Sequence, residues 1–262
     1  YEMKGLVSNE LLPLLREEID YQIIHKTLFV VGVPESVLAD KIEPFESEFP
    51  ASIKLAYLPR PGMVRLRLTS RGKRNDDLQA EVDAATGVLR KALGDALMDG
   101  SSKPIERYVG ILLQEKGLTV GTAESCTGGG IAAALVNVPG SSAYFEGGLV
   151  AYSYGIKETL LGVNHATIVE KGAVSEEVVR QMSEAARKNL GVDFAVAVSG
   201  IAGPGGGTPD KPVGTSWISI AGPERTIAEK FVFGKVRERN IQKTIFAALN
   251  LLVKEVEDYP VS

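Results

Sequence analysis

Phe194-Ala-Val-Ala-Val-Ser199 carries five apolar residues in a row and closes on a serine. A strand that does not alternate apolar with polar is buried on both sides, as in a sheet covered by helices on both faces. The chain around it fits that reading. Residues 105–116 read as a helix, 118–123 as a strand, 128–137 as a helix, and Gly148–Ser153 as a strand leading to a helix from Ile156. Ser175–Leu190 reads as a long helix whose Ser-Glu-Glu opening suits the helix dipole. Val213–Ala221 and Thr226–Phe233 read as a strand pair, and a helix from about 237 to 256 closes the chain. The fold class is α/β, with 103–262 an α/β layered domain.

Upstream the pattern changes. Residues 5–16 read as a short helix with Leu6, Leu11, Leu14 and Leu15 on one face. Residues 17–102 read as β-α-β-β-α: strand Ile23–Val31, a helix from Pro34, strand Ile53–Leu58, and alternating strand Met63–Thr69. A helix from about 76 to 98 follows, giving a small α+β module with two helices on one face of its sheet. Pro59–Gly62 reads as a turn, Arg71–Asp76 as a polar loop, and Asp99–Pro104 as the link between domains. Tyr1-Glu-Met-Lys is not a natural start, so residues 1–16 read as the remnant of a preceding domain.

The 262 residues are 44% hydrophobic and 24% charged, with net charge −4, as in soluble globular proteins. No global basic field advertises nucleic-acid binding. One cysteine excludes an internal disulfide and a multi-cysteine zinc site, and His25 and His165 stand 140 positions apart. No apolar run spans a bilayer and no signal segment opens the chain, so a cytoplasmic protein is expected.

Ala123-Glu-Ser-Cys-Thr-Gly-Gly129 carries the most chemistry. It sets a hydroxyl and a thiol side by side at a strand-to-helix turn, where the first amides of a helix favour an anion or a developing oxyanion. Ser125 is the first candidate nucleophile and Cys126 the second, since neighbouring side chains at a turn point in different directions. The plainer reading is ordinary helix capping. Three further loops fall at strand ends: Tyr152–Lys157, Ser199–Gly207 and Phe233–Arg237. If strands 118–123, 148–153 and 194–199 are parallel, Ser125, Lys157 and Ser199 converge at one edge. His165 sits in the polar connection Val163-Asn-His-Ala-Thr and reads as solvent-facing, which leaves Lys157 as the better base. A partly desolvated lysine loses proton affinity; a surface lysine in the same helix is the alternative. The glycines of 203–207 match neither phosphate-binding fingerprint, yet their amides suit a phosphate, with Arg237 as cationic partner.

Several segments occur in an order that resembles the C-terminal domain of the CinA (competence/damage-inducible) family: Ala123–Gly129, Pro139–Phe145, Tyr152-Ser, Gly172–Ser175, Ser199–Pro204 and Lys211–Thr215. Upstream, Val31–Ser36 and the β-α-β-β-α order resemble that family's KH-type middle domain, and Tyr1–Gly5 the last helix of its molybdopterin-binding-like first domain. The resemblance implies a nicotinamide mononucleotide (NMN) deamidase acting through a serine/lysine dyad, with no cofactor and no metal. Carried over, Ser125 is the nucleophile, Lys157 the base, and Tyr152 orients the dyad or the pyridine ring. The substrate side falls to Glu124, Cys126, Thr127, Gly128, Gly129, Ser199, Gly200, Ile201, Ala202, Gly203 and Arg237. The run Gly234-Lys-Val-Arg237 is one residue longer than the family's Gly-Asp-Arg. Residues 17–102 hold 11 Lys/Arg against 14 Asp/Glu and no Gly-x-x-Gly loop between helices, which argues against nucleic acid as a partner and for an assembly role, a homodimer with no membrane contact. The alternatives are a catalytically weak nucleotide-binding protein and an RNA-binding or scaffold protein of the competence or DNA-damage response.

Overall fold

The structure, a computed structural model, describes residues 2–18, 20–31, 33, 35–60, 63–73, 76–94, 97–98 and 104–260. It divides into two compact units, 1–102 and 103–262. Pro61 and Gly62 of the expected turn, Gly32 and Pro34, Arg74 and Asn75 of the expected loop, and 99–103 of the expected link lie outside the described residues.

In the first unit α1 (Glu2–Leu6) passes through a π turn at Val7–Leu11 into α2 (Leu12–Glu18), a longer helical segment than expected. Its Leu6, Leu11, Leu14 and Leu15 remain exposed. The strands β1 (Gln22–Val31), β2 (Lys54–Arg60), β3 (Met63–Gly72) and β4 (Leu97–Met98) form an antiparallel sheet in the order β2-β3-β1-β4. Val64, Leu66 and Leu68 point to one face, and there they join Leu38 and Ile42 of α3 (Glu35–Ile42) and Ala85, Leu89 and Leu93 of α4 (Leu78–Leu93). The helix expected over 76–98 therefore stops early. Leu89, Leu93 and Leu97 keep helical spacing, but the chain leaves the helix at Gly94, with φ +50, and Leu97 pairs with Val30 as a strand.

The second unit has three layers. Its sheet orders β5 (Val120–Glu124), β6 (Phe145–Val150), β7 (Phe194–Gly200), β8 (Thr215–Ala221) and β9 (Thr226–Val232) as β6-β5-β7-β8-β9. The three strands β6, β5 and β7 are parallel, while β8 and β9 run antiparallel. One face is covered by α7 (Tyr154–Leu161), α8 (His165–Lys171) and α9 (Glu176–Leu190), the other by α5 (Ile105–Lys116), α6 (Gly130–Val136) and α10 (Arg237–Asp258). The first six residues of β7 are buried, as their unbroken apolar run requires. Small residues on one face, Ala123, Ala195 and Ala197, let α9 lie close with Val178, Val179, Met182 and Ala186.

Two expectations change here. The strand expected at 148–153 begins at Phe145 and ends at Val150; it is an edge strand that alternates half-buried and exposed, and its glycine pair hides that period. The connection expected at 163–167 is instead the start of α8, with the Asn164 side chain capping its first turn. His165 itself is exposed, beside Glu158 at 2.8 Å. Among the described residues no helix is long and apolar enough to cross a membrane.

Candidate active site

The parallel strands β6, β5 and β7 end on one edge, and the segments that carry Ser125, Tyr152, Lys157, residues 201–203 and Arg237 begin or end there. Ser125 follows β5 directly, its amide donating to Val198 O across the sheet at 3.1 Å. Lys157 sits one turn into α7, whose first turn is capped by Ser153. That helix turns the lysine inward: Lys157 is 1% exposed, and its Nζ lies 2.9 Å from Ser125 Oγ. Nζ also donates to Ala151 O at 2.7 Å and Tyr152 O at 3.0 Å. Those carbonyls are available because β6 stops at Val150.

Burial pushes the Lys157 ammonium down to about 8. The geometry then fixes where the lone pair goes. A neutral amine has two hydrogens and one lone pair, and two of the three neighbours are carbonyls that only accept. They take the hydrogens, and the lone pair faces the one neighbour with a proton to give, the Ser125 hydroxyl. Tyr152 thus meets the Lys157 amine through its main-chain carbonyl, while its exposed ring reaches outward to bring Tyr152 Oη within 3.5 Å of Arg237 Nη2.

The turn after Ser125 corrects one expectation. The start of α6 does not face a ligand, because the protein fills it with its own carboxylate. Glu124 is wholly buried and accepts from Thr127 Oγ1 at 2.7 Å and from the amides of Gly129 at 3.1 Å, Ile131 at 3.0 Å and Ala132 at 2.8 Å. The Gly128 amide donates to Ser125 O at 3.1 Å, and Gly128 and Gly129 take φ +61 and +96 to make the turn. Glu124 and the amides of Gly128 and Gly129 are therefore partnered within the protein. The Cys126 and Thr127 amides, by contrast, find no oxygen acceptor among the described residues.

Ser199 is corrected as well. Alternation puts it on the α9 face of β7, where its hydroxyl donates to Ala173 O at 2.7 Å; the expectation followed its position at a strand end and not its parity. Beyond it Ile201 continues the pairing with Thr215 and Gly214, and Gly203 O accepts from Arg237 Nη1 at 2.8 Å. Asn240 was not anticipated. It is 2% exposed and bonds both Ala202 and Gly234. Its signal was a polar residue at the head of the buried stripe Asn240, Thr244, Ala248, Leu251 of α10.

Cys126 is nearly buried, and burial pushes its thiol up to about 11, so it is protonated at neutral pH. Its sulfur lies against Gly200, where a Cβ would stand 3.0 Å from Sγ, 2.6 Å from Ser216 Oγ and 2.9 Å from Thr215 O. Gly200→Ala is expected to cost about 1–3 kcal/mol through this overpacking, read as a lower urea midpoint. An unchanged midpoint would refute the close approach.

The three-layer α/β unit and the smaller α+β unit before it both have counterparts among known proteins. A family model described as the CinA C-terminal domain matches residues 102–256, and one described as the damage-inducible protein CinA KH domain matches 25–97. The chain belongs to the CinA family. A CinA-like protein of Flavobacterium psychrophilum is 42% identical over 258 residues, which is 98% of this chain and 62% of the relative. A Shewanella oneidensis relative named nicotinamide-nucleotide amidohydrolase PncC is 38% identical over 251 residues, 95% of this chain and 58% of the relative. The chain thus spans about three fifths of the length of these relatives. Among solved structures, competence damage-inducible protein A of Klebsiella pneumoniae superposes with TM-score 0.58 and 34% identity, over 60% of this chain and 97% of that one. The competence/damage inducible protein CihA of Agrobacterium tumefaciens gives TM-score 0.56 and 34% identity, over 61% and 99%.

Proposed function

We propose that the chain hydrolyses the carboxamide of NMN to nicotinate mononucleotide and ammonia, with Ser125 as nucleophile and Lys157 as base. The observation that carries this reading is the buried amine 2.9 Å from the Ser125 hydroxyl, with its other two directions taken by carbonyls. The name of the Shewanella relative supports the substrate. In the proposed sequence Lys157 takes the Ser125 proton as Oγ attacks the carboxamide carbon. The tetrahedral oxygen is held by the Cys126 and Thr127 amides. Nitrogen leaves as ammonia with the proton from Lys157, which leaves an ester on Ser125. Water, deprotonated by the same amine, attacks that ester; the acid departs and the serine regains its proton.

Only neutral Lys157 can act as base. With its acidity near 8, about a tenth of it is neutral at pH 7. The kcat/KM for NMN is therefore expected to rise about tenfold per pH unit below that value and to level off above it. A profile already flat from pH 6 to 9 would exclude Lys157 as base.

The decisive experiment follows ammonia and nicotinate mononucleotide together during incubation with NMN, with and without EDTA. Equal release of both, unchanged by EDTA, supports the metal-free reading; no release by folded protein overturns it. The same proposal makes the protein a cytoplasmic homodimer in pyridine nucleotide recycling, and a solution mass of one chain would overturn the dimer.

A further inference from the structure

We propose that Asn240 is the positioning residue that shapes the site for a phosphate monoester, and so sets preference for the nucleotide over its nucleoside; the inference builds on the NMN reading. Asn240 stands in the first turns of α10, and its amide group holds two loops at once. Nδ2 donates to Ala202 O and to Gly234 O, both at 2.9 Å, and Oδ1 accepts from the Gly234 amide at 3.0 Å. The loop after β7 and the loop after β9 are thereby fastened to one side chain. One turn earlier on the same helix, Arg237 Nη1 holds Gly203 O at 2.8 Å.

These bonds aim amides as well as carbonyls. In a planar trans peptide the N–H points opposite to the C=O of the same unit. Ile201 O accepts from the Gly214 amide, so the Ala202 N–H points away from Gly214. Ala202 O is held by Asn240, so the Gly203 N–H points away from α10. Both residues are buried, yet neither amide has a protein acceptor among the described residues. Buried donors without acceptors are uncommon, because leaving one unmade costs about 1–3 kcal/mol. Successive amides next to a residue at φ +94 form a concavity that suits an anion.

The arginine completes the match. With Nη1 fixed on Gly203 O, the other edge of the Arg237 guanidinium lies toward Tyr152 Oη, on the same rim as Lys157 and Ser125. Two amides and one guanidinium edge fit the several oxygens of a phosphate monoester. Asn240 touches no substrate in this scheme; it acts by holding the Ala202–Gly203 peptide in the orientation that presents the amides.

The test compares NMN with nicotinamide riboside, which lacks the phosphate, in wild type, Asn240→Asp, Asn240→Ser and Thr244→Val. Aspartate keeps the acceptor for Gly234 but sets an oxygen against the Ala202 and Gly234 carbonyls; serine is the second variant should aspartate not fold. Loss of bonds to a charged group predicts a KM for NMN raised about 10- to 100-fold with kcat little changed. The riboside kcat/KM should stay within about threefold of wild type. Thr244→Val removes the hydroxyl that bonds Asn240 O and Ser216 Oγ but leaves the Asn240 side-chain bonds to both loops in place, and should keep the wild-type preference. Equal losses on both substrates, or an unchanged preference, would overturn the proposal. If wild type hydrolyses neither compound, the amidohydrolase reading fails by itself, and ribose 5-phosphate decides the role of Asn240. A thermal midpoint raised by it in wild type and not in the Asn240 variants upholds the proposal; no rise in wild type, or an equal rise in all, overturns it.

Discussion

Ammonia release from NMN by Ser125→Ala is expected to fall by roughly ten-thousandfold to a millionfold, the loss typical when a catalytic nucleophile is removed from a unit that acts together. The change removes one oxygen and leaves the main chain of the turn intact. Urea unfolding should therefore move by little, since among the described residues the deleted hydroxyl has Lys157 as its one partner. Cys126→Ala is the informative companion. Its thiol is protonated at neutral pH and faces Gly200, while its amide survives the exchange, so that variant should still turn over. Loss of turnover in Cys126→Ala with retention in Ser125→Ala would reverse the assignment.

The second large effect is on stability. Glu124→Ala strips four donors of their acceptor in one step: the Thr127 hydroxyl and the amides of Gly129, Ile131 and Ala132. Each buried donor left without an acceptor costs about 1–3 kcal/mol, so the four together are expected to cost upward of about 3 kcal/mol. That is a large fraction of the roughly 5–15 kcal/mol that holds a domain folded. Glu124→Gln should cost less, because one oxygen still accepts while its NH2 group confronts an amide donor. A Glu124→Ala urea midpoint equal to wild type would show that the carboxylate does not hold the turn.

The architecture was readable where burial is uniform or periodicity is clean. The 194–199 strand had no polar residue until its last position, and helix 105–116 falls where the pattern placed it because Gly117 ends it in the left-handed conformation. The edge strand β6 was placed three residues late, since an edge has only one covered side and glycines carry no pattern. The helix ending at Leu93 was overextended because leucine spacing continues across Gly94. Such errors arise wherever a backbone break, and not side-chain chemistry, sets the boundary.

In the candidate site, residue types were legible and side-chain directions were not. Ser125 and Lys157 could be named as chemistry, but their contact spans 32 positions and depends on how α7 faces β5. Glu124 and Ser199 were read as substrate contacts from their place at strand ends. Their parity and burial turn both inward, toward the start of α6 and toward Ala173. Asn240 escaped because its partners are carbonyls and an amide of distant glycine-rich loops, which carry no side-chain signal.

The reversal of direction after β7 has one more consequence. Because β8 starts and β9 ends on the edge where β5, β6 and β7 finish, the groups at that edge come from two separate stretches of chain. Residues 120–161 supply the serine, the lysine and their supports; residues 200–240 supply the facing loops and α10's opening turns. Under the proposed assignment, bond-making and recognition are thus written in different parts of the gene. On that assignment, exchanging residues 200–240 alone should change which ligand is held while leaving the Ser125–Lys157 contact in place.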